Sequence, residues 1–139
     1  MKINGQCHCG AVVFSAELKG GLASARRCDC SLCSLFSVRG AVAVSAALDG
    51  FEITKGADNL NLYQFNTRVA EHYFCSTCGI YTHHRRRSDP NEFGVNLACL
   101  EGQSPFDLAE IIVHNGQQHP SDGGAPDGVA GILRYEANT

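Results

Sequence analysis

The chain's eight cysteines constrain its fold more tightly than any hydrophobic pattern, because all but Cys99 fall into three tight groups. The groups are Cys7 and Cys9 in "CHCG", Cys28, Cys30 and Cys33 in "CDCSLC", and Cys75 and Cys78 in "FCSTCG". Thiols one or two residues apart pair poorly with each other, since a disulfide needs a particular Cα separation. They are well placed to face one ion instead. Zinc takes four ligands in a tetrahedron and prefers thiolates in structural sites. In Cys75-x-x-Cys78 the turn turns both sulfurs to one side, and Gly79 accepts the positive φ such a turn often needs. Cys7 and Cys9 face the same side of an extended chain, with Gly10 after them. Two such pairs make a closed Cys₄ site that ties the N-terminus to the middle of the chain, where a metal clip closes a long loop.

The third group has three thiols and no fourth beside it. Three protein ligands with one open position is the pattern of a catalytic zinc. A closed site completed by Cys99 or by a histidine such as His8, His83 or His84 is the alternative, and spacing alone leaves both open, along with an exchange of partners among the three groups.

Metal is favoured over disulfides where the compartment is reducing. No stretch is long and apolar enough to span a membrane, and "MKINGQCHCG" has no signal-peptide core, so a cytoplasmic protein is expected. A formal net charge of −3 lacks the basic field of a nucleic-acid binder. The 139 residues, 44% hydrophobic and 18% charged, fit one globular domain. Its core is expected over about residues 3–114, followed by a Gly/Pro-rich tail over 115–139.

Short apolar or alternating runs bounded by turn residues predict a mainly β fold. Strands are expected at Ala11–Leu18, Gly40–Ala46, Phe51–Gly56, Leu60–Phe65, Arg68–Cys75, Phe93–Cys99 and Glu110–Asn115, with "ILRYE" returning as a last strand. The best helical turns are "SLCSLF", capped by Ser31, and a turn near "SPFDLA". Asn115–Gly131 reads as an irregular surface loop.

Taken together, "GQCHCGAVVF", "CDCSLC" and "FCSTCG" resemble the glutathione-dependent formaldehyde-activating enzyme family in motif order and in spacing. The stretch from "GADNLNLYQF" to "VNLACLEG" is similar to the branch that includes centromere protein V. The resemblance covers about Gly5 to Gly102. It implies twisted antiparallel β-sheets around two zinc ions, related to the Mss4-like fold. It also implies that Cys7, Cys9, Cys75 and Cys78 hold the structural zinc, and that Cys28, Cys30 and Cys33 hold a second, exchangeable one.

The chemistry implied is condensation of glutathione, or a related small thiol, with formaldehyde or another aldehyde, a carbon–sulfur lyase reaction when reversed. A zinc-stabilised module that binds glutathione or a protein partner without turnover is the competing reading, favoured by the centromere branch.

Arg85, Arg86 and Arg87 are candidates to grip the carboxylates of glutathione, against the plainer reading of a solvated edge. Arg26 and Arg27 precede the three-thiol group. Cys99 is either a small buried hydrophobe or a neighbour of the second zinc. His83 and His84 read as surface or core histidines if the Cys₄ assignment holds. Asp29 and Ser31 flank ligands and suit supporting hydrogen bonds or turn formation, while Phe36 and Phe74 suit walls. The oligomeric state is not legible.

Overall fold

The alternating runs resolve into ten strands of one mixed sheet, with no α-helix among the described residues. The structure is a computed structural model, and it describes residues 1–28, 41–64, 68–86, 89–115 and 128–138. The strands are β1 (Lys2–Gln6), β2 (Val13–Leu18), β3 (Arg26–Cys28), β4 (Ala43–Lys55) and β5 (Leu60–Tyr63), then β6 (Glu71–Cys75), β7 (Tyr81–Arg85), β8 (Glu92–Asn96), β9 (Glu110–His114) and β10 (Val129–Arg134). Their order across the sheet is β10-β9-β3-β4-β8-β7-β6-β5, and the β1–β2 hairpin joins β4 separately.

β4 replaces two expected strands by one. Asp49-Gly50 looks like a turn in sequence, yet both halves of the strand find partners. Ala43–Ala47 pair with β8, and Phe51–Lys55 pair with β2. Between Leu18↔Ala46 and Ala16↔Phe51 the register shifts, so the extra β4 residues bulge out. A Cβ on Gly50 would stand 2.8 Å from Glu17 Cβ, which is why the bulge closes on glycine.

Three strands were not foreseen: β1, β3 and β7. β7 is not the solvated edge that its arginines suggest, because it lies between β8 and β6 with Tyr81, Thr82 and His83 buried. β3 departs from an antiparallel plan by running parallel to β9. "VNLAC" ends in a 3-10 turn at Leu97–Cys99, where the Asn96 side chain accepts from the Ala98 N–H at 3.2 Å. The expected turn near "SPFDLA" is the 3-10 helix Pro105–Asp107, capped by Ser104. The turn expected over 31–36 lies outside the described residues.

The two faces of the sheet differ. On one, Val44 stands opposite Val95, Val95 opposite His83, and His83 opposite Tyr73. This face joins the main core of Phe14, Ala16, Leu18, Val42, Ala46, Leu97, Leu100 and Ile111. His83 is a core histidine, its ring 4.4 Å from that of Phe51 and 4.5 Å from that of Tyr73. On the other face the row is Ser45, Gly94, His84 and His72. Ser45 and His72 are buried there and His84 is half-buried, so their polar atoms need partners. Glu92 receives Lys19 Nζ at 3.1 Å and a short hydrogen bond from Arg86 Nη1. Burial alone would raise its pKa, but bonds from Ser45, Arg86 and Lys19 outweigh that and hold the carboxyl at about 2.

Candidate metal centre

Two hairpin ends meet at one point. The turn after β1 carries Cys7 and Cys9, and the turn after β6 carries Cys75 and Cys78. In the first, Gly10 N–H donates to Cys7 O at 3.3 Å and Cys7 N–H to Val12 O at 3.1 Å. In the second, Gly79 N–H donates to Cys75 O at 2.9 Å and Cys75 N–H to Ile80 O at 3.0 Å. Gly10 at φ 78° and Gly79 at φ 74° take the left-handed conformation that closes each turn.

The four Sγ atoms lie within 4.8 Å of one another. Cys7 and Cys9 are 3.6 Å apart and Cys9 and Cys75 are 3.7 Å apart, sulfur to sulfur. A tetrahedral zinc with bonds of about 2.3 Å puts its sulfurs about 3.8 Å apart. The donor set therefore fits a tetrathiolate metal. N–H groups aimed at the sulfurs fit it as well, since they favour the anionic form. Val12 N–H reaches Cys7 Sγ, while Thr77 N–H and Asn59 Nδ2 reach Cys75 Sγ, each at 3.4 Å.

The thiols do not ionise alike without a metal. Burial opposes ionisation of Cys78, yet main-chain hydrogen bonds at Cys9 and Ile80 outweigh it and bring the thiol down to about 6. Cys75 is lowered against its burial by bonds at Cys78 and Thr77. The bond at Ala11 would lower Cys9, but desolvation and the sulfurs of Cys7, Cys75 and Cys78 push it up to about 11. Neighbouring anions resist a fourth negative charge, and a divalent cation removes that resistance.

Cys99 lies beside the cluster rather than within it. Its Sγ points at Tyr81 O, 3.7 Å away, and burial pushes its thiol up to about 12, with the charges of Cys7 and Cys78 adding to the effect. Cys28 ends β3, half-buried, opposite His114 of the parallel strand β9. Cys30, Cys33, Asp29, Ser31, Phe36 and Arg87 lie outside the described residues. Two of the arginines expected to grip carboxylates have partners inside the fold. Arg85 Nε donates to Pro90 O at 2.6 Å, and Arg86 is bonded to Glu92.

Sequence reasoning did not single out His114, because its meeting with Cys28 depends on a parallel pairing between strands far apart in the chain. Burial, then the charges of Arg26 and Arg86, lower its pKa.

Gly56 braces both turns. A Cβ there would stand 1.9 Å from the carbonyl oxygen of Ala11, next to the first turn, and φ is 79°. Gly56 O accepts from the Asn59 N–H at 2.9 Å, and Asn59 in turn reaches Cys75. Gly56→Ala is therefore expected to cost more than about 3 kcal/mol and to weaken metal retention. Thermal melting together with metal analysis of the purified variant checks both effects.

Comparison with known proteins places this geometry. The family model described as "Glutathione-dependent formaldehyde-activating enzyme" matches residues 2–114. A protein of Halomonas elongata named "Putative glutathione-dependent formaldehyde-activating enzyme" is 32% identical over 83 residues. That match spans 56% of this chain and 52%, about half, of the relative. A crystal structure of a Rhodobacter sphaeroides protein shares 58% identity at a TM-score of 0.74, covering 78% of this chain and 97% of that one.

Proposed function

The chain belongs to the glutathione-dependent formaldehyde-activating enzyme family, and from that premise we propose that it is a zinc-dependent carbon–sulfur lyase-type enzyme handling the glutathione–formaldehyde adduct. The observation that carries the reading is the Cys7/Cys9/Cys75/Cys78 cluster, with sulfur spacings that suit a tetrathiolate zinc. That cluster is the structural half of a two-zinc arrangement. The reactive half is assigned to Cys28, Cys30 and Cys33.

In the synthetic direction the thiol of glutathione adds to formaldehyde. A C–S bond forms, the C=O π bond breaks, and the thiol proton ends on the new hydroxyl oxygen. A zinc ion at the three thiols would supply thiolate formation at neutral pH and polarisation of the aldehyde oxygen.

The chain's own part is positional. Arg26, two residues before Cys28 and buried, donates from Nη1 to Ser45 Oγ at 2.8 Å and to Ser24 O at 3.1 Å. These bonds fix β3 and with it the direction in which Cys28 leaves the sheet. The carboxylates of the thiol are assigned to the Arg85–Arg87 run, of which Arg85 and Arg86 also hold Pro90 O and Glu92.

The test is the rate of S-(hydroxymethyl)glutathione formation above the uncatalysed background. Zinc-loaded wild type is expected to exceed background. Cys28→Ser is expected to fall to it, lose one of two zinc equivalents, and melt within a few degrees of wild type. Wild-type protein holding two zinc ions that fails to exceed background would leave a binding module, not an enzyme.

A further inference from the structure

Among the described residues β10 is an outer strand of the sheet, and it lies past residue 114, where the family match ends. Each of its faces exposes a large apolar side chain to solvent. Ile132 is 53% exposed and Leu133, on the opposite face, is 44% exposed. Ile112, across from Ile132 on β9, is 45% exposed. Phe106 and Tyr135 pack beside them with tilted rings whose centroids are 5.1 Å apart, and both are exposed.

Outer strands usually carry lysine, proline or inward charges that discourage pairing. Residues 129–133, "VAGIL", have none of these. The one irregularity is a bulge between Val129 and Gly131, at the hairpin end.

We infer that β10 pairs antiparallel with β10 of a second copy of this chain, about a two-fold axis at Leu133. The main chain fixes which residues can lie on the axis. Tyr135 N–H donates to Ala109 O at 2.9 Å, so Tyr135, Leu133 and Gly131 direct their main-chain groups toward β9. Inward and outward groups alternate along an antiparallel strand, which leaves those of Ile132 and Arg134 facing outward.

With the axis at Leu133, Ile132 of each copy meets Arg134 of the other, and both sets of outward groups are bonded. Leu133 then packs on Leu133 of the other copy, and Tyr135 covers the bare backbone of Gly131. A two-fold contact needs a patch that complements itself, and this one does. The single charge on the strand, Arg134, is already met by Glu110 of its own chain at 3.0 Å and stands opposite isoleucine, so no like charges oppose.

The test uses the full zinc-loaded chain. Sedimentation over a concentration series is expected to show wild type passing from monomer to dimer. Ile132→Lys sets a lysine beside the other copy's Arg134, and Leu133→Asp sets two aspartates face to face. Both are expected to stay monomeric at every concentration with unchanged circular dichroism. Hydrogen exchange of wild type gives an answer free of mutation. The amides of Ile132 and Arg134 are expected to slow on the order of tenfold on dimerisation, while those of Leu133 and Tyr135 are protected throughout. A wild type that remains monomeric overturns the inference, as does a dimer kept by both variants. A dimer whose exchange lacks the alternation overturns it too.

Discussion

Cys75→Ser is expected to leave the chain without a stable folded state at room temperature. Cys75 Sγ is the most supported sulfur of the cluster, accepting from Asn59 Nδ2 and Thr77 N–H, and the residue is fully buried. Serine in its place is slightly smaller and a poor ligand for a soft metal ion, and its hydroxyl is buried among groups arranged for an anion. Structural zinc contributes about 10–16 kcal/mol of apparent binding energy in small zinc domains. Whole-domain stability is about 5–15 kcal/mol, so losing even half of that clip removes most of it.

The loss also spreads. The cluster's own apolar neighbours are few: Val12, with Ala11, Leu60 and Ile80. That patch is too small to hold the β1–β2 turn against the β6–β7 turn without an ion. Cys9, which is exposed, should be the gentler site, because water can take its place at the rim. Circular dichroism melting and metal analysis, run on Cys75→Ser, Cys9→Ser and chelator-treated wild type, check the ordering. A metal-free Cys75→Ser that melts with wild type would remove the clip from the account altogether.

That cluster was legible because its information is local. Each pair of ligands sits inside one turn, and each turn is closed by a glycine whose φ the sequence already implies. Most strands were legible for the same reason, since alternation over five or six residues is a local signal. What escaped depends on distant partners. β7, "YTHHR", is too polar to look central, yet its neighbours β6 and β8 bury it and Asn96 Nδ2 bonds Tyr81 O at 2.9 Å. β3 is three residues long and is fixed by a parallel pairing with β9 and a single antiparallel pair with β4. The Arg85–Arg87 run carried no sign that Arg86 would be tied to Glu92, because their meeting requires the β7–β8 hairpin first. His114 came to face Cys28 through the same kind of long-range register.

Acidification is expected to destabilise the fold from about pH 6.5 downward, well above the range where carboxylates titrate, with His83 as a principal cause. Burial among Phe51, Tyr73 and Phe93 depresses its pKa from 6.5 to about 3. The folded chain therefore keeps this imidazole neutral where the unfolded chain protonates it. Above pH 6.5 the two states bind protons alike and stability is full. Between 6.5 and 3 the unfolded state holds the extra proton, so each unit of acidification costs up to about 1.4 kcal/mol, about 5 kcal/mol across the window. Below 3 the slope vanishes. Burial lowers His84 and His114 in the same sense, which steepens the dependence. Glu92 adds a later loss of the same sign, since its folded pKa of about 2 lies under the ordinary value of 4.5. Protons also compete with metal for the cysteines, so the total slope has several sources. His83→Phe separates them. Phenylalanine suits the aromatic surroundings, the Thr82 hydroxyl keeps Tyr73 O as a partner at 3.5 Å, and the cysteine cluster is untouched. Urea unfolding at matched pH values should show the variant losing about one proton's worth of slope between pH 6.5 and 3 relative to wild type. Equal slopes would mean that His83 is protonated, or solvated, in the folded chain.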